Sequence, residues 1–120
     1  MRTLETARGY IGLGMIEEAK EEISSLNAYD RENLSVIKIQ IEIHLQKSEL
    51  SHADMLLSAT SSECRRDAEW QFLRARYFAR SLNYKEANRH LMKAIMLHDH
   101  PTPQLLEHPD LQQIWEWTAN

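Results

Sequence analysis

Glycine, proline and cysteine are scarce in this 120-residue chain, which has three, three and one of them. So few breakers leave little room for linkers or for many tight turns, and an all-helical chain of one domain is the natural reading. The single cysteine, Cys64, has no second thiol with which to form an internal disulfide. With no base near it in sequence, it reads as an inert or exposed thiol. No stretch approaches the roughly 18 to 20 consecutive apolar residues needed to span a bilayer. Met1 to Tyr10 lacks the apolar run of a secretory signal. A cytoplasmic protein with no membrane partner is expected.

Chemistry-bearing motifs are also missing. There is no Gly-rich phosphate loop and no nucleophile elbow, and His44, His52, His90, His98, His100 and His108 form no metalloprotease arrangement. No catalytic residue, no cofactor and no metal are therefore expected. His98, Asp99, His100 and His108 have the side chains that suit zinc. Their spacing is unspecific, however, and a histidine-rich helix end is equally what the helix dipole favours. A net charge of −4 and a pI near 5.8 argue against a dedicated nucleic-acid domain.

What the chain does have is a period. Ala19, Ala53 and Ala87 recur at a constant 34-residue interval, and each is followed four places later by an aliphatic residue, Ile23, Leu57 and Leu91. Those pairs share a helix face. Nine residues before each alanine stands a ring, Tyr10, His44 and Phe78, and twelve before it stand Ala7, Ile41 and Ala75. Two helical segments thus recur in phase per period, and agreement at several positions marks a repeated helical hairpin.

These residues resemble the tetratricopeptide repeat, a helix–turn–helix unit of about 34 residues. The third copy is the most similar, with Asn83, Tyr84, Lys85, Glu86, Ala87, Leu91 and Ala94 matching the second helix of the family almost position for position. The first has Tyr10, Gly14, Ala19 and Ile23. The second departs most, with His44 in place of the aromatic and Ser48 in place of the turn glycine. Trp70 and Leu73 have the family's mutual spacing but lie one residue out of register with Ala87. The resemblance covers about residues 2 to 99 and implies an all-α fold, an α-α superhelix of about three hairpins (repeats near 1–32, 33–66 and 67–99) with a C-terminal loop and cap over 100–120. With Met1 inside the first repeat, one end of such a stack is expected to be open.

One segment points elsewhere. Ile37, Ile39, Ile41, Ile43 and Leu45 alternate with Lys38, Gln40, Glu42 and His44, the pattern of a half-buried strand. No second segment offers it a pairing partner, and a lone strand leaves its backbone polar groups unsatisfied. As a helix the same residues give two stripes, Leu34, Ile37, Ile41, Leu45 and Ser48 on one face and Ile39 and Ile43 on another, as a helix buried on two sides requires. Around it, Ile16, Ala19, Ile23 and Leu26 predict one amphipathic helix, and Tyr84, Ala87, Leu91, Ala94 and Ile95 another.

Pro101, Pro103 and Pro109 then break the array, with Thr102 placed to cap a short turn begun by Pro103. Pro109 suits the first position of a last helix, which carries Leu111, Ile114, Trp115 and Thr118 on one side and covers the end of the stack. Trp117 falls off that face, and a partly buried place on a loop is expected for it ahead of the alternative, an exposed indole that serves an interface. The closing segment from His108 to Trp115 also looks like the end of many small bacterial tetratricopeptide proteins.

In that family the first helices of successive repeats line a concave groove for an extended peptide or a partner's helix. The resemblance therefore implies a non-enzymatic protein-binding module. Its groove would be lined by Arg8, Lys38, Glu42, Glu69, Phe72, Arg76 and Arg80. Glu42 and Glu69 depart from the acid-free pattern of the family's groove for a C-terminal carboxylate, so that specificity is not expected here. Residues 63–93 hold eight Lys or Arg against four acids. This polarity suits an acidic partner, or the head-to-tail pairing of a self-assembling module as the second reading.

Overall fold

The computed structural model describes residues 2–98 and 107–119, with side chains as far as Trp117. Among them every regular element is helical: α1 (Arg2–Gly12), α2 (Ile16–Ser24), α3 (Ala28–Arg31), α4 (Leu34–Gln46), α5 (Leu50–Thr60), α6 (Ala68–Arg80), α7 (Tyr84–Leu97), a 3-10 turn (Pro109–Leu111) and α8 (Gln112–Ala119). The alternating isoleucines lie in α4, so the helix is formed despite the β-branched run.

Three of these helix pairs share one turn. The first helices end at Gly12, Gln46 and Arg80, and the second helices begin at Ile16, Leu50 and Tyr84. In each turn one residue is left-handed, Gly14 at φ +76°, Ser48 at +58° and Leu82 at +63°. In each, too, the amide one place after that residue donates to a carbonyl five back: Met15 to Tyr10 at 2.8 Å, Glu49 to His44 at 2.8 Å and Asn83 to Phe78 at 2.9 Å. The 34-residue period of the sequence is thus a period of the backbone.

Side-chain caps start four of the helices. The Oδ1 atoms of Asn27, Asn33, Asp67 and Asn83 accept from the amides of Asp30, Ser35, Trp70 and Glu86 respectively. Asp67 thereby fixes the start of α6, and Trp70 and Leu73 both lie buried. The short α3 has no signal in the hydrophobic pattern. It is held by its Asn27 cap and by Arg31, whose guanidinium donates to the carbonyls of Ser24 and Leu26 at the end of α2.

The chain forms two compact units, residues 1–56 and 57–120, and the division falls inside α5 rather than between repeats. In the first unit, α4 packs on α1 and α2. Val36, Ile39 and Ile43 join Ala7, Ala19 and Ile23 in one core, with Tyr10, Ile16 and Leu26 against it. Ile41 and Leu45 are fully buried outside that core, which gives α4 its two buried stripes, while Leu34 and Ser48 at the ends of the expected face are exposed.

In the second unit α6 packs on α7, and the C-terminal segment packs on both. Leu111 and Ile114 are fully buried among Ala75, Ala79, Ala87 and Leu91, with Trp115 packed alongside. Pro109 takes the first position of the 3-10 turn, and Tyr84 OH donates to the Gln113 side chain to tie α7 to α8. Trp117 lies half exposed in α8 rather than on a loop. Thr102, Pro103 and the side chain of Thr118 lie outside the described residues.

Candidate functional site

Of the residues expected to line a groove, Phe72, Arg76 and Arg80 are brought together on one face of α6. The chain's own C-terminal segment meets them there. Asp110 Oδ2 accepts from Arg76 Nε and from Arg80 Nε, each at 3.0 Å. The ring of His108 stands edge-on to Phe72 at 5.6 Å, and its Nδ1 accepts from the Asp110 amide, closing the turn. Arg76, whose guanidinium also lies 5.8 Å over Phe72, is 1% exposed. Burial works to raise the pKa of Asp110, but hydrogen bonds from Arg80 and Arg76 outweigh it and hold the carboxyl below the usual aspartate range. Glu69, at the start of the same helix, is half-buried.

The other three belong to the first unit. Arg8 is exposed on α1, and Lys38 and Glu42, one turn apart on α4, are half-buried. In the same unit residues of α2, α3, α4 and α5 wall a cavity of about 290 Å³. Ile23, Ile43 and Met55 form its apolar side, and Lys20, Gln40 and Glu49 are among its polar groups. His44 holds Glu49 through Nδ1 at 3.1 Å and stacks on His52 at 5.1 Å; the hydrogen bond lowers the Glu49 pKa. No local sequence pattern could have indicated this cavity, because four separate segments build it.

Two further surface features carry opposite charge. In the second unit Arg65, Arg66, Lys93, Met96 and Leu97 line an open groove of about 340 Å³. In the first, Tyr10, Glu18, Glu21, Glu22 and Ser25 line a hollow of about 170 Å³.

Cys64 and His90 are committed to the interior. Cys64 is buried, which corrects the exposed alternative, because the turn after α5 folds back so that its amide donates to Thr60 O. Thr60 in turn accepts from Trp70 Nε1 at 3.0 Å. His90 is 8% exposed, stacked on Phe78 at 5.4 Å, with Nδ1 2.7 Å from Gln71 Oε1. Gln71 Nε2 donates to Arg65 O, so its Oε1 is the acceptor and His90 Nδ1 carries the proton. Burial, followed by the cations Arg89, Lys93 and Arg74, pushes the His90 pKa down from 6.5 to about 4. Among the described residues no group of three or more His, Cys, Asp or Glu is placed to hold a metal ion. Asp99 and His100 lie outside those residues. No described helix is long and apolar enough to cross a membrane.

No family model matches the chain, and neither a curated protein nor a solved structure matches it.

Proposed function

We propose that this chain is a non-enzymatic, cytoplasmic protein-binding module of the tetratricopeptide kind, which holds an extended segment of a partner protein against the first helices of its repeats. The observation that carries this reading is the recurrence, at one 34-residue period, of helix ends, left-handed turn residue and turn hydrogen bond. Repeats of this kind build extended faces from successive first helices, and such faces bind segments rather than small molecules. Arg8, Lys38, Glu42 and Glu69 are the contact residues in this reading. Phe72, Arg76 and Arg80 are engaged with His108 and Asp110. Acids and bases together favour a segment of mixed charge.

The test is selection of peptides from a random library on the immobilised chain. Enriched peptides are expected to bind the parent and to lose at least tenfold in affinity on Lys38→Glu combined with Glu42→Lys, with the melting temperature kept. Failure to enrich any peptide, or binding indifferent to that double variant, would remove this face from consideration.

A further inference from the structure

We propose that the basic groove of residues 57–120 receives the acidic hairpin turn of a second copy of this chain. In that groove Arg65, Arg66 and Lys93 surround Met96 and Leu97. Met96 is 82% exposed, and Met92, one turn earlier on α7, is exposed as well. Contiguous exposed apolar side chains rimmed by charge of one sign mark an interaction surface, and methionine adapts its shape to what it meets. Three cations and, among the described residues, no carboxylate on the lining select an occupant that is apolar and acidic together.

The chain carries such a surface itself. In the turn between α1 and α2, Leu13 is 75% exposed and Met15 is exposed. The helix that follows places Glu18, Glu21 and Glu22 around the hollow beside Tyr10. Glu17 is held by Lys47 Nζ at 2.9 Å, so the contact rests on the other three acids. The charges are segregated to match: residues 1–56 hold ten acids and six Lys or Arg, and residues 63–93 hold eight Lys or Arg and four acids. Leu13 and Met15 of one copy meet Met96 and Leu97 of the next while carboxylates meet guanidinium and ammonium groups. The two surfaces differ, so the contact is heterologous, and in a chain of copies one terminal copy keeps an unused groove and the other an unused turn. None of these residues belongs to the peptide-binding face proposed above, so either reading can fail without the other.

Sedimentation velocity of the full chain across a wide concentration range tests this, at roughly 50 mM and 500 mM salt, where screening differs severalfold. Mass is expected to rise with concentration at low salt and to fall back at high salt. Arg65→Glu with Arg66→Glu should abolish the rise, as should Glu18→Lys with Glu21→Lys. An equimolar mixture of those two variants should associate again, since the intact groove of one meets the intact turn of the other. That rescue also shows that both variants are folded. A monomer at every concentration in low salt would overturn the proposal. So would assembly unaffected by both reversals, or a groove that binds an acidic helical peptide while copies of the chain ignore each other.

Discussion

Asp110 and His90 show how single side chains couple this protein to pH. Asp110 is the carboxylate between Arg76 and Arg80, and Arg76 has almost no access to water. Removing one partner of a buried pair strands the other charge, so Asp110→Asn is expected to cost about 3 kcal/mol in urea unfolding at neutral pH. Its folded pKa is lowered, so its contribution is present at neutral pH and is lost as acid carries the pH down through the usual aspartate range and then through the folded value. His90 acts in a separate window. Its folded pKa of about 4 is below the 6.5 of the unfolded chain, so stability is full above pH 6.5 and is lost as pH falls towards 4, by about 3 kcal/mol in all. His90→Phe should be less stable at pH 7, because the Gln71 carbonyl loses its donor, and should lose the slope between pH 6.5 and 4; an unchanged slope would assign it to another group. None of this coupling is legible in the sequence. An arginine on the face of a predicted helix reads as solvated, and the acid that buries Arg76 lies a full period further along the chain, beyond the reach of any helix-spacing rule. The burial of Cys64 is hidden for the same reason, since its cover comes from the fold of a turn and not from a periodic pattern.

At the level of elements, the hairpin is the most legible feature, because Ala7, Ala19, Ala75 and Ala87 do what small residues at helix crossings do and are fully buried. Ala87→Leu is expected to overpack the third hairpin and cost roughly 1 to 3 kcal/mol, read as a lowered melting temperature. The turns give a finer test. Leu82 holds the left-handed conformation with its side chain 71% exposed, so it strains the backbone and packs little in return. Leu82→Gly should stabilise by roughly 0.5 to 1 kcal/mol after the entropy of glycine is counted. Gly14→Ala, with open space around the added Cβ, should destabilise by about 1 kcal/mol through backbone strain alone. The sequence shows the glycine and, by phase, Ser48 in its place, but not Leu82, since leucine carries no left-handed signature. The short α3 leaves no trace in the pattern because four residues are too few to show a period.

For the whole chain, the C-terminal segment is the piece on which the second unit depends. Truncation before Pro109 removes Leu111, Ile114 and the Asp110 carboxylate together, leaving Ala75, Ala79, Ala87 and Leu91 without cover. Such a chain is expected to bind a hydrophobic dye and to lose its cooperative melt, whereas truncation after Trp117 should do neither. The prolines and the apolar side of the last helix make this cap visible in advance. Its closure over Phe72, Arg76 and Arg80 is not, because sequence alone places those residues on an open groove.

The two cores are built to one plan. Ala7, Ala19 and Ile23 surround Ile43, while Ala75, Ala87 and Leu91 surround Leu111, each counterpart two periods further along. The first set is filled by α4 and the second by the C-terminal turn, so a hairpin of this chain accepts either a continuing repeat or a terminus in the same socket. A variant with one further 34-residue hairpin inserted between the two sets is therefore expected to keep both fits and a cooperative melt.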